Sequence, residues 1–289
     1  MYAAGFPTSR QQPVLIDFDN SIFSRESFQD GKEGSVVERK GAQAKLGLTL
    51  GARLRVALRR LVGGRDKSAE IHARRIVDDV RAQGARPRIL IVGGGEVGGG
   101  AQALYDDPNV ELIGTDVYAS PFTRLVVDGH RLPFADESFD GVWIQAVLEH
   151  VLDPWMVVAE IHRVLKRDGL VFANTPFMQQ VHEGAYDFTR FTLSGHRWLF
   201  RNFTAIDSGV VSGAGTALVW SVRYFVQALS GRRVLGRLAG TSVFFLRFGD
   251  YIGSSRAHAD AASAVYFYGR KAQVAIGPKD MIDYYERRS

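Results

Sequence analysis

Hydrophobic positions change their period several times along the chain. Over residues 46–62, Leu50, Leu54, Leu58 and Leu61 recur at helical spacing beside Arg53, Arg55, Arg59 and Arg60. Ser68 then sits as the N-cap of a predicted helix through Gln83, with Gly84 beyond its end and Pro87 as a stop. From Ile89 strand and helix patterns alternate. Ile89 to Val92 are an unbroken apolar run, as expected of a buried parallel strand. A short helix is predicted from about Gly99 to Tyr105. "VELIGTD" is a second strand ending at Asp116, "RLVVD" a third ending at Asp128, and "FDGVWIQ" a fourth. Asp153 and Pro154 cap and open a helix with Val157, Ile161, Val164 and Leu165 on one face; Gly169 ends it, and "LVFAN" is a fifth strand. This alternation implies right-handed crossovers and a mostly parallel α/β sheet with helices on both faces. "FTAIDSGVV" and "SAVYFYGRK" then read as two further strands, separated by apolar helices interrupted by single arginines. Residues 1–45 show no sustained period and read as a loop-rich arm.

The length of 289 residues suits one core domain with additions. The expected division is an N-terminal arm with helices over 1–84, on the substrate side, and a core domain over 85–289 with a helical insertion at about 212–260. The net charge of +5 is uneven, with eleven Lys or Arg against four acids between Gly51 and Arg88. That run reads either as a solvated helix face or as a surface for an anionic partner such as a membrane; no nucleic acid partner is expected. The absence of cysteine excludes disulfides and Cys-based zinc sites. "MYAAGFPTSRQQPV" lacks the apolar core of a signal peptide, and no long uncharged apolar run is present. A cytoplasmic location is therefore the expectation. The aromatic residues of 216–248 fit a cap over a pocket, a dimer contact, or, with the arginines of 46–62, a peripheral membrane contact.

Candidate chemistry begins at "ILIVGGGEVGGG". Gly93, Gly95 and Gly98 fit the spacing G-x-G-x-x-G, which lets a backbone turn tightly against a ligand. Alone it suits a nicotinamide or flavin dinucleotide, a nucleoside cofactor without phosphate, or a plain strand-to-helix turn. Ligands of an open parallel sheet sit beyond the carboxyl ends of its strands. A carboxylate at Asp116 can accept from both ribose hydroxyls. One at Asp128 can accept from the exocyclic amine of adenine, with His130 or Arg131 flanking the ring. Gln145 closes the fourth strand opposite the glycine turn. Gly94, Glu96, Val117 and Gly129 complete the candidate cofactor contacts. Each carboxylate also has a plainer reading as a turn cap, and Glu149 and His150 read as packing and capping residues.

"LPFADESFD", "VLEHVLDP" and "EIHRVLKRDG" follow in order. Together they resemble the class I S-adenosylmethionine-dependent methyltransferases, closest to the group called methyltransferase type 11, over roughly residues 85–205. The resemblance implies the Rossmann-like seven-stranded methyltransferase sheet with an antiparallel last strand and S-adenosyl-L-methionine as cofactor. It implies that the Gly93–Gly95 turn passes the amino acid part of the cofactor, Asp116 holds the ribose and Asp128 the adenine edge. The chain departs from the family in carrying Ile91 where an acidic residue is usual, and Val97 at the third glycine position. Glu96 is the candidate to substitute for the missing contact to the cofactor ammonium group. A cofactor-binding protein without methyl transfer and a nicotinamide-dependent oxidoreductase stay as rival readings.

The acceptor pocket is expected to open after the fifth strand, at "TPFMQQVHEGAYDFTRFT". His182 can take a proton at neutral pH, Asp187 can orient it or bind a sugar hydroxyl, and Arg190 can bind an anionic substrate or pair with Asp187. Similar strings in methyltransferases of this type point to O-methylation of a sugar, glycolipid or related small molecule. "VLIDFDNS" resembles the D-x-D loop of haloacid-dehalogenase-type phosphatases, but no partner lysine and acidic loop follow. No H-x-x-x-H string or clustered carboxylate set suggests a metal site.

Overall fold

The arm segment ahead of the first long strand already joins the sheet. In the computed structural model, which describes residues 7–26 and 66–287, Val14 bridges to Val126 and the Leu15 amide donates to the Val126 carbonyl at 2.8 Å. Val14 and Ile16 bury against Ala119 and Val126. The leucine and arginine pattern of 46–62 lies outside the described residues.

The central sheet has seven strands: β1 (Arg88–Val92), β2 (Glu111–Asp116), β3 (Leu125–Val126), β4 (Phe139–Gln145), β5 (Leu165–Pro176), β6 (Phe203–Ser212) and β7 (Ala264–Lys271). Their spatial order is β3-β2-β1-β4-β5-β7-β6. The first five pair in parallel, and β7 runs antiparallel to both β5 and β6. This is the Rossmann-like sheet expected, with the last strand inserted antiparallel. The apolar runs that forecast β1, β4 and β5 are buried because helices cover both faces. On one face α1 (Lys67–Arg81) packs Ala73, Ile76 and Val80 onto Ile89, Ile91, Trp143 and Phe172. On the other, α3 (Pro154–Val164) packs Val157, Ile161 and Val164 onto Leu90, Val142 and Val171. Trp143 and Phe172, side by side on β4 and β5, stack at 4.0 Å.

Several boundaries differ from the sequence reading. The N-cap of α1 is Asp66, whose side chain accepts from the Ala69 amide; Ser68 lies inside the helix and donates its hydroxyl to Asp66. The short helix α2 spans Gln102–Asp106, after Gly100 turns the chain at φ +86°. The third strand closes at Val126, so Asp128 stands in the loop after it. Helix α3 stops at Val164, because Leu165 is already extended and pairs with Phe139; Gly169 lies within β5, not at a helix end. Asp153 caps α3 through the Met156 amide, with Pro154 in its first turn, as read. After α4 (Leu193–Leu199) and β6 comes the insertion: α5 (Ala214–Ser230), α6 (Arg233–Ser242), a 3-10 stretch (Phe244–Tyr251) and α7 (Ser255–Asp260). A last helix, α8, spans Asp280–Glu286.

Candidate active site

The turn after β1 is fixed from both sides. Gly93 has φ +74°, and a Cβ on it would lie 2.1 Å from Val147 Cγ2, so only glycine fits. The Gly94 amide donates to the Thr115 carbonyl at 2.8 Å. Asp116, at the end of β2, accepts from the Gly95 amide at 2.7 Å on one oxygen and from the Val117 amide at 2.7 Å on the other. Glu96 is exposed at the tip of the turn. The Tyr118 ring packs against Gly95. Burial, with the carboxylates of Asp116, Glu96 and Glu183, raises the Tyr118 hydroxyl far above its ordinary pKa.

Asp128 is buried and heavily engaged. One oxygen accepts from the His130 amide at 3.0 Å and from His130 Nδ1, and the other from the Ser21 hydroxyl of the N-terminal segment. Burial pushes its pKa up, but the bonds from His130 and Ser21 outweigh this and hold it below the usual carboxylate range. His130 is raised in turn by its bond to Asp128, and its Nε2 accepts from the Asp153 amide. Gly129, between the two, rests against Val92 and Val157. Arg131 does not flank this group; it pairs with Asp17 of the "DFD" string, whose acids were the phosphatase-like candidates.

Gln145 braces the glycine turn from the sheet side. Its Nε2 donates to the Gly99 carbonyl at 2.9 Å and to Asp66 at 3.3 Å, and its Oε1 accepts from Trp143 Nε1 at 3.2 Å. Asn174, the next strand's counterpart, donates to the same Asp66 oxygen at 2.7 Å. Burial raises the pKa of Asp66.

On the acceptor side, Asp187 and Arg190 form a bidentate ion pair in which the Asp187 side chain is 1% exposed. Arg190 also donates to the carbonyls of Gln179 and Gln180, and Asp187 accepts the His182 amide at 2.8 Å. Burial raises the Asp187 pKa, but Arg190 and the His182 amide outweigh it and bring it to about 2. The pair thus ties the ends of the 179–190 loop together. His182 Nδ1 faces the Gln180 carbonyl at 3.2 Å and Asp187 at 3.4 Å.

Two residues read as packing and capping prove to face His182. Glu149, in a 3-10 turn (Leu148–His150) after β4, is 1% exposed, and neither carboxylate oxygen meets a donor from another residue. Burial raises its pKa to about 8. His150 bonds the Tyr186 carbonyl through Nδ1 at 2.7 Å and brings Nε2 to 3.6 Å from Glu149. Burial lowers its pKa. The rings of His150 and His182 meet edge to face at 5.2 Å. One side-chain atom from each of Glu149, His150 and His182 lies within 4.8 Å of the other two. A spacing of more than thirty residues hid this group in the sequence. The available signal was a glutamate inside the apolar run "AVLEHVL".

Beyond His182, Trp220 of α5 lies 6.1 Å away, ring to ring. Trp220 lines an open cavity of about 1340 Å³ between the end of β6, the start of α4 and the insertion, with Gln179, Thr216, Arg247 and Tyr251 also in its wall. The cavity wall also includes Gly99 and Asp66, the residues that Gln145 holds beside the glycine turn.

Residues 97–173 match the family model described as a methyltransferase domain. No curated protein sequence matches the chain. Among solved structures, the chain resembles a phosphoethanolamine N-methyltransferase 2 of Haemonchus contortus, at 15% identity and a TM-score of 0.47, over 75% of this chain and 57% of that one. It also resembles a proposed sarcosine dimethylglycine methyltransferase of Galdieria sulphuraria, at 15% identity and a TM-score of 0.44, over 75% and 97%. A third is a coclaurine N-methyltransferase, at 14% identity and a TM-score of 0.42, over 70% and 72%.

Proposed function

We propose that the chain is a class I methyltransferase that uses S-adenosylmethionine and methylates a hydroxyl of a sugar, glycolipid or related small molecule, a reading supported by the methyltransferase-domain match over residues 97–173. The cofactor lies along the Gly93–Gly95 turn, its ribose on Asp116 and its adenine toward Asp128. To receive an adenine amine, Asp128 gives up its bond from Ser21. The acceptor enters from the cavity beside Trp220.

Transfer from a sulfonium is an in-line displacement, so alignment is the enzyme's main task. An amine acceptor brings its own lone pair, whereas a hydroxyl must also lose a proton. The observation that carries the reading is the meeting of His182, His150 and Glu149 beside the cavity. His182 sits where the acceptor's proton departs. Asp187 and Arg190 act through it, by holding its loop in place.

The test is transfer of isotopically labelled methyl groups to glycolipid and soluble sugar fractions, with hydrolysis and mass spectrometry of the products. Methyl ethers on sugars are expected. Label found only on amines overturns the hydroxyl reading. Tight S-adenosylhomocysteine binding with no transfer to any fraction would instead favour a cofactor-binding protein, a role suited to the buried Ile91 at the position where the resembled family carries an acid.

A second reading concerns the acceptor's location. The insertion exposes Phe225, Leu229, Val234 and Leu238, and Arg232, Arg233 and Arg237 stand exposed among them. No described helix is long and apolar enough to cross a membrane. Such a face suits peripheral contact with an anionic bilayer, where each arginine contributes about 1 kcal/mol. Sedimentation with anionic but not neutral vesicles, reversed by salt and lost in Phe225→Ser with Arg233→Gln, is expected. Failure to sediment at low salt points to a soluble acceptor.

A further inference from the structure

We propose that Glu149, His150 and His182 form a binding site for one first-row divalent transition metal ion. Three observations meet there. The first is donor geometry. Glu149 Oε1 and His150 Nε2 are 3.6 Å apart, and the three donor atoms lie within 4.8 Å of one another. Ligands about 2.0–2.2 Å from a tetrahedral ion stand about 3.4 Å apart, so small side-chain rotations close the set.

The second is the state of Glu149. A carboxyl group buried without donors is costly, because its oxygens lose water and gain nothing in return. Here the Glu149 side chain is 1% exposed, neither oxygen has a hydrogen-bond partner, and one of them lies 3.6 Å from an imidazole nitrogen. The third is how the imidazoles are held. His150 Nδ1 is bound to the Tyr186 carbonyl at 2.7 Å, and His182 Nδ1 to the Gln180 carbonyl at 3.2 Å with Asp187 behind it. A carbonyl can only accept, so each Nδ1 carries the hydrogen and each Nε2 presents its lone pair. That arrangement orients histidine ligands at metal centres.

Two imidazoles and one carboxylate favour zinc, cobalt, manganese or iron over magnesium or calcium, which prefer all-oxygen sites. Three protein ligands leave a position open. The use of that position rests on the methyl-transfer reading. The open position faces the acceptor, whose hydroxyl would there meet a Lewis acid. With His182 a ligand and not the base, the proton would leave to water as the oxygen attacks the methyl carbon, and the C–S bond pair would return to sulfur, giving a neutral thioether.

The experiment uses the full chain, stripped with a chelator and then titrated with Zn²⁺ against a chromophoric competitor. Co²⁺ absorption provides a second readout. One Zn²⁺ per chain is expected at micromolar affinity or tighter, with a Co²⁺ visible band of mixed nitrogen and oxygen ligation. Glu149→Gln and His182→Asn should each weaken Zn²⁺ by about 100-fold or more. Both variants should bind S-adenosylhomocysteine as the native chain does, which shows them folded. Zn²⁺ affinity equal in native chain and variants overturns the site, as does absence of Zn²⁺ binding in a chain that binds S-adenosylhomocysteine; methyl transfer with His182 as a simple base then stands. Zn²⁺ binding lost in the variants of a chain that fails to bind S-adenosylhomocysteine upholds the site and removes the transfer reading instead.

Discussion

Replacing Asp116 with asparagine tests the cofactor half of the site with almost no change of shape. In the native chain one carboxylate oxygen accepts the Gly95 amide and the other the Val117 amide, both at 2.7 Å. The asparagine amide group keeps one acceptor oxygen and turns a second donor toward one of those two backbone amides. A hydrogen bond to a charged group is worth about 1.5–3 kcal/mol, and a donor left facing a donor costs about 1–3 kcal/mol. Part of that loss falls on the free protein. The loss of the charge on the ribose diol falls wholly on binding. Together they weaken S-adenosylhomocysteine by about 2–4 kcal/mol, or about 30- to 1,000-fold in Kd. Calorimetry at about neutral pH measures this, with urea unfolding alongside to separate loosened folding from lost contact. A cofactor analogue without the ribose hydroxyls should bind both proteins with nearly equal affinity. A variant that binds S-adenosylhomocysteine within about threefold of the native chain refutes the placement of the ribose on Asp116.

Three further outcomes follow from the packing. Gly93→Ala forces a side chain into the left-handed region and against Val147, so cofactor binding should be lost and stability should drop by about 1–3 kcal/mol on chemical denaturation. Phe172→Ala empties a fully buried position stacked on Trp143, at a cost of about 3–5 kcal/mol in urea unfolding. His196 is fully buried between Phe191 and Phe200, and burial lowers its pKa to about 3, so the folded chain holds it neutral while the unfolded chain protonates below about 6.5. Its contribution is therefore complete above that pH and is lost as pH falls toward the folded value, at about 1.4 kcal/mol per pH unit; unfolding of His196→Leu should show a flatter acid limb, and an unchanged limb would count against the assignment.

The strands were legible where burial is two-sided, because parallel strands covered on both faces carry unbroken apolar runs. β1 and β4 are such strands, and β4 was bounded without error. Helix ends were less legible. Asp66 and Ser68 are both good N-cap types two residues apart, and sequence does not say which one the backbone reaches first. The α3 stop at Val164 depends on Leu165 pairing with Phe139, a contact between distant segments that Gly169 only imitates. The glycine turn and Asp116, the proposed cofactor contacts, were legible as candidates because one loop and one strand end carry them. Gln145 was placed correctly at its strand end, but its partner Asp66 is seventy-nine residues away, and only the fold shows that the pair braces the turn. The meeting of Glu149 and His150 with His182 was hidden for the same reason, and only the glutamate inside "AVLEHVL" hinted at it.

The placement of β7 has a consequence for how the chain is made. Among the described residues β6 pairs only with β7, and β5 has β7 as its second neighbour. Until residues 264–271 emerge, β5 presents an open edge of buried apolar residues, and β6 and the insertion behind it have no strand to join. The strand needed to complete the sheet is synthesised after both of the strands it separates. The nascent chain therefore passes through a stage in which its glycine turn is assembled and its far edge is adhesive, exposed to pairing with another copy. Slow translation before residue 264 should raise aggregation, and a C-terminal tag that delays docking of β7 should do the same, while an N-terminal tag spares that edge.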